Sequence, residues 1–148
     1  MQNVTHDRII ELAMGFWASK VLLSAVELGI FGVLNDGPLD LRTLRSRTGL
    51  HDRSAHDFFD ALVALGLLQR NDAGRYSNTA EADLYLNPAR PGYIGGIIEM
   101  FNACLYGFWG SLTEALRTGE RRMRPSMVAT CSTISMRTLL VLKGSYAP

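Results

Sequence analysis
The stretch that decides the fold is L-D-L-R-T-L-R-S-R-T-G-L-H-D-R-S-A-H-D-F-F-D-A-L-V-A-L-G-L-L-Q-R-N-D-A-G-R-Y-S-N-T, running from Leu39 to Thr79. Asp40 stands in a capping position before a short helix with Leu41 and Leu44 inward and Arg42, Arg45 and Arg47 outward, and Gly49 ends it. His51-Asp52 opens a second amphipathic helix carrying Phe58, Phe59, Leu62, Val63 and Leu65, closed by Gly66. Leu67 to Arg70 reads as a strand, Asn71-Asp72-Ala73-Gly74 as a hairpin turn, and Arg75-Tyr76-Ser77 as the return strand. Cap, helix, glycine, helix, glycine, hairpin is the order of a winged helix-turn-helix. That architecture serves both DNA reading and protein packing, so it does not settle function by itself.

Outward from this unit the chain is helical. An N-terminal arm spans broadly Asn3 to Leu34, with breaks expected near Gly15 and Gly29. A short helix covers Ala80 to Leu86 and stops at Asn87-Pro88; after Arg90-Pro91-Gly92 a long helix is expected from about Tyr93 to Thr118, ended by Gly119. The predicted fold is therefore mainly α: a winged helix-turn-helix with a small β-hairpin, an N-terminal helical arm and a long C-terminal connecting helix.

Both long helical segments are too apolar for the surface of a monomer. In Phe16 to Leu28 the polar residues Lys20, Ser24 and Glu27 form one narrow stripe, and Trp17, Val21, Leu22, Leu23, Ala25, Val26 and Leu28 cover most of the rest. In Tyr93 to Leu112 the apolar set from Ile94 to Leu112 wraps the axis in the same way. A helix apolar all round is a buried helix, and a small winged unit covers one face of each. The remaining faces call for a second chain, or for the two helices burying each other. Phe16, Trp17, Val21, Leu22, Ala25 and Ile98 are the candidate dimer-interface residues.

Composition bounds the rest. With 148 residues and 47% hydrophobic content, one sizeable core is expected. All 14 acidic residues lie at or before Glu120, where only 10 of the 15 basic ones lie, so this part is mildly acidic and suits nucleic acid poorly. Residues 1–120 form the expected domain. Residues 121–148 lose every acid, gain Ser, Thr and Met and show no useful amphipathic period; they are expected to be a disordered or frame-shifted tail, with a basic tail for RNA or lipid as the alternative.

Cys104 and Cys131 are too far apart for a metal knuckle and are expected as free thiols in a cytoplasmic protein. Asp7, Arg8 and Glu11 precede any apolar run, unlike a signal peptide, and the glycines within Tyr93–Leu112 lower its fitness as a membrane span. No two glycines lie two residues apart, which removes the G-x-G of a dinucleotide or methyl-donor loop. His6, His51 and His56 have no partners at metal spacing, and no nucleophile–base–acid set is present. No catalytic, cofactor-binding or metal residue is therefore assigned. Glu99 and Asn102, one turn apart, are read as satisfying neighbouring groups, with a polar ligand as the alternative.

Three phrases taken together are similar to a known family: G-F-W-A-S-K-V-L-L-S-A-V-E-L-G-I-F (Gly15 to Phe31), G-P-L-D-L-R-T-L (Gly37 to Leu44) and D-F-F-D-A-L-V-A-L-G-L-L (Asp57 to Leu68). They resemble the N-terminal dimerisation domain of S-adenosylmethionine-dependent small-molecule O-methyltransferases, of the caffeate and antibiotic-tailoring kinds. E-M-F-N-A-C-L-Y-G-F-W-G-S-L-T-E-A-L-R-T-G (Glu99 to Gly119) resembles the helix that leads into that family's catalytic domain. The resemblance covers about Thr5 to Glu120 and implies helix exchange with a partner, homodimeric or with a full-length paralogue. It also implies that S-adenosylmethionine and the aromatic acceptor belong to the intact family, whose cofactor domain has no counterpart in this chain. Carried over by helix face, Met100, Phe101, Cys104, Leu105 and Phe108 are substrate-pocket candidates. The alternative is a winged-helix transcription regulator using Arg42, Arg45, Arg47, Arg53, Arg70 and Arg75, against which stand Asp52, Asp57 and Asp60.

Overall fold
The computed structural model describes residues 5–120. The expected tail and Cys131 lie outside the described residues. The first element is a single helix, α1 (Asp7–Glu27), which passes Gly15 unbroken. A glycine inside a helix costs only about 1 kcal/mol, which a helix of 21 residues absorbs. Gly29 does break the chain: its φ of 66° lies in the left-handed region and turns it into α2 (Ile30–Val33).

The winged unit follows as the sequence predicts. α3 (Leu41–Thr48) begins at Asp40, whose carboxylate accepts the backbone N–H of Thr43 at 2.9 Å and its hydroxyl at 2.8 Å. Those two donors hold the Asp40 carboxyl below its usual value. Gly49, at φ 68°, ends α3. His51 caps α4 (Asp52–Ala64) by accepting the Arg53 N–H on Nδ1 at 3.2 Å. β1 (Leu68–Arg70) and β2 (Tyr76–Asn78) pair antiparallel, Leu68 opposite Asn78 and Arg70 opposite Tyr76, and Leu39 bridges to Tyr76 from the other side.

The core sits where these elements converge. Ala25 from α1, Ile30 and Phe31 from α2, Leu44 from α3, and Phe59 and Leu62 from α4 are at most 1% exposed. Tyr76 lies against Phe59 with ring centroids 5.6 Å apart. Its hydroxyl donates to Asp60 Oδ1 at 2.8 Å, so a buried phenol keeps a partner. Burial is the main reason its pKa lies above the ordinary value.

α5 (Ala80–Leu86) starts at Thr79, whose Oγ1 accepts from the Ala82 N–H at 3.3 Å and donates to the Leu67 carbonyl at 3.2 Å. Thr79→Ala removes a cap and a link to the strand, and is expected to cost about 1 kcal/mol of unfolding free energy. Urea titration at fixed protein concentration checks it; a change below about 0.3 kcal/mol would mean the cap is immaterial. Asn87 ends α5 as the buried polar residue of the core. Its Nδ2 donates to Asn35 Oδ1 at 3.0 Å and Asp83 Oδ1 at 2.8 Å, and its Oδ1 accepts the Ala89 N–H.

The expected long connecting helix is several pieces. α6 (Gly95–Met100) runs into a π turn, Phe101–Leu105, where the Tyr106 N–H bonds back five residues to the Phe101 carbonyl. α7 (Tyr106–Trp109) follows, then a turn at Gly110-Ser111, then α8 (Leu112–Thr118), ended by Gly119 at φ 69°. Among the described residues, α1 is the one helix long and apolar enough to cross a membrane, and its C-terminal part is packed into the chain's own core.

Candidate functional site
The first two-thirds of α1 has no cover. Every residue from Asp7 to Ser19 is exposed, and this stretch carries Ile9, Ile10, Leu12, Met14, Phe16 and Trp17, with Leu12 83% and Trp17 57% exposed. Single exposed apolar residues are ordinary on a protein surface, but a contiguous run of this kind marks an interaction surface. Phe16 and Trp17 meet edge to face at 5.6 Å. With Lys20, Val21, Ser24, Phe58 and Tyr106 they line an open, mostly apolar groove of about 270 Å³.

The connecting helix is fastened beside this groove by a polar clasp. Lys20 Nζ donates to Asn102 Oδ1 at 2.7 Å, and Asn102 Nδ2 donates to Glu27 Oε2 at 2.6 Å. The same ammonium lies 5.0 Å from the centre of the Tyr106 ring, within cation–π range. Asn102 therefore joins two residues a helical repeat apart on α1 to the π turn. The polar stripe Lys20–Ser24–Glu27 was the signal for this clasp, although the sequence did not pair it with Asn102. Glu99 instead lies by Tyr93, whose phenol is pushed above its ordinary pKa by burial and then by the nearby Glu99 charge.

The interface candidates separate into two groups. Phe16 and Trp17 are exposed, and Val21 and Leu22 are half-buried at the edge of the core. Ala25, at 0%, and Ile98, at 7%, lie inside the chain's own core. The substrate-pocket candidates differ in exposure. Cys104 is 1% exposed, Phe101 and Leu105 are exposed, and Met100 and Phe108 lie between.

Among the described residues no group of three His, Cys, Asp or Glu side chains could hold a metal ion. His51 is a helix cap, and His56 faces Asp57 and Asp60 on the exposed side of α4. Two of the arginines that the regulator reading needs are ion-paired within the chain: Arg45 with Asp52, and Arg70 with Asp60 at 3.1 Å. A guanidinium held by a carboxylate is a weak phosphate ligand. Arg70 is stabilised in its charged form chiefly by the Tyr76 hydroxyl and then by Asp60.

The family model for the O-methyltransferase dimerisation domain matches residues 10–88. The chain is 48% identical over 123 residues to the tetracenomycin polyketide synthesis 8-O-methyl transferase TcmO of Streptomyces glaucescens, covering 80% of this chain and 36% of that protein. It is 40% identical over 110 residues to 3-hydroxy-5-methyl-1-naphthoate 3-O-methyltransferase of Streptomyces sahachiroi, covering 74% of this chain and 32% of the relative. The chain thus spans about a third of the length of these relatives. Among solved structures, human N-acetylserotonin methyltransferase in complex with SAM aligns with a TM-score of 0.74 at 28% identity, over 82% of this chain and 37% of that one. The matched residues 10–88 take in most of the arm and the winged unit, and nothing among these relatives favours a DNA-binding regulator. The chain belongs to the O-methyltransferase dimerisation domain family.

Proposed function
We propose that this chain is a pairing module: it associates through α1 and the connecting helix with a second copy of itself, or with a full-length paralogue, and carries no methyl-transfer chemistry of its own. The observation behind this reading is the uncovered apolar run on α1 from Ile9 to Trp17. A helix in that state is complete only when another surface lies on it. Residues 1–120 make up the module, and residues 121–148 are not needed for pairing.

Methyl transfer from S-adenosylmethionine to a hydroxyl of an aromatic metabolite is the activity proposed for the intact protein type. It rests on the relatives that this chain resembles, about a third of whose length it spans. The absence of any G-x-G loop and of any titratable set fit for a general base supports the inactivity of this chain alone. Calorimetric titration with S-adenosylmethionine is expected to give no saturable heat; binding at micromolar affinity would overturn the proposal. Co-expression with a full-length paralogue is expected to yield a mixed dimer on affinity capture of either chain. Paralogue recovered without this chain would remove the heterodimer from it.

A further inference from the structure
The link from α5 to α6 is built around one buried amide. Pro88 disfavours helical backbone in the residue before it, and Asn87 is extended, at φ −85° and ψ 118°. α5 therefore stops at Leu86, and the Asn87 side chain lies inward at 0% exposure. Its bonds reach three segments: Asn35 just after α2, Asp83 on α5, and Ala89 in the link. Two acceptors and one donor around the group also fix which end of the amide is which. Asp83 Oδ2 in turn accepts from Arg90 Nε at 2.8 Å, and Arg90 and then Asn87 hold the Asp83 carboxyl below its ordinary value. The Pro88 ring lies so close to α2 that a Cβ on Gly32 would come within 3.2 Å of it. Further on, the Ile94 N–H returns to the Tyr85 carbonyl at 2.8 Å, and Gly95 begins α6.

Apolar packing does little to aim α6. Between residues 84 and 100, Leu86 and Ile98 are the large apolar side chains in the core, whereas Leu84, Tyr85 and Ile94 around the link are 44%, 43% and 44% exposed. Hydrophobic burial is also non-directional, while a hydrogen bond holds its partners to a distance and an angle. A buried amide is costly unless its bonds are made, and this one uses both donors and its acceptor on the segments that meet at the link.

We infer that Asn87 is a pivot pin: by tying the link to α2 and α5 at one point, its amide sets the direction in which the connecting helix leaves the winged unit. The Lys20–Asn102–Glu27 clasp then holds the same segment further along, against α1. Any surface on the connecting helix takes its direction from this pair of anchors. The inference stands on the single chain and does not depend on the pairing proposed above. Without the amide, exposed Asn35 and Arg90 and half-buried Asp83 can rehydrate, so direction is lost before the fold is.

Amide residual dipolar couplings of the full chain, with α4 as the internal frame, test this, because they report the direction of a helix and not its stability. Asn87→Leu removes all three bonds at similar volume. It is expected to leave the α4 couplings on the unmodified frame and to shrink those of Gly95–Met100 by about half through motional averaging. Asn35→Ala, at an exposed position, is expected to shrink them in the same sense and by less, and decides the matter if Asn87→Leu does not fold. Thr79→Ala weakens the start of α5 without touching the pin and is expected to leave the α6 couplings unchanged. Couplings of α6 that stay on the α4 frame in Asn87→Leu, or in Asn35→Ala where that chain is the one that folds, overturn the inference. So does a Thr79→Ala chain that loses them to the same extent.

Discussion

Replacing Phe16 and Trp17 together by aspartate is expected to raise the dimer dissociation constant by two to three orders of magnitude or more, with little change in helix content. The two rings are 54% and 57% exposed in the single chain, so each has about 100 Å² left to bury. At about 25 cal/mol per Å² that is about 2.5 kcal/mol per ring, and a two-fold dimer contains four such rings. Association costs and imperfect packing take back a large part, which leaves a loss of about 3–4 kcal/mol as a conservative expectation. The arm keeps its helical backbone because neither ring contributes to the core, and the variant is expected to persist as a less stable or aggregation-prone chain. Sedimentation equilibrium with circular dichroism on the same samples is the check. A dissociation constant within about threefold of the unmodified chain would place the interface elsewhere.

Phe59→Ala is expected to lower the unfolding free energy by about 3–5 kcal/mol, a large share of the roughly 5–15 kcal/mol typical of a whole domain. Phe59 is fully buried between Phe58, at 6.2 Å, and Tyr76, at 5.6 Å, and links α4 to the hairpin. Phe58→Ala, on the half-buried side of the same helix, should cost less than half as much. Because pairing contributes to apparent stability, both variants must be compared with the unmodified chain at one protein concentration. Equilibrium denaturation decides it. A loss below about 1.5 kcal/mol for Phe59→Ala would mean that the site collapses without leaving a cavity.

The winged unit was legible because its boundaries are set by local chemistry. Asp40, His51 and Thr79 cap helices by bonding to backbone N–H groups two or three residues away, and Gly49, Gly66 and Gly74 take positive φ. Such bonds depend on neighbours in sequence, so the sequence displays them. The connecting helix was less legible because its irregularity is tertiary. The residues that tether Asn102 are 82 and 75 positions away, and no local pattern at Phe101–Leu105 announces a π turn.

The pocket candidates differ in exposure, from buried Cys104 to exposed Phe101 and Leu105. Ala25 and Ile98 fit the hydrophobic pattern of an interface, but hydrophobicity does not distinguish a chain's own core from a partner's surface. Exposure distinguishes them, and it leaves the arm as the uncovered part. Gly15 has the propensity of a helix breaker, but no neighbouring group requires a break there, and α1 runs through it.

The central claim is that the unmodified chain is complete only as a pair. Size-exclusion chromatography coupled to light scattering at micromolar concentration measures this directly. A single species of twice the chain mass of 16.3 kDa is the expected result. A monodisperse, well-folded species at the chain mass itself would contradict it.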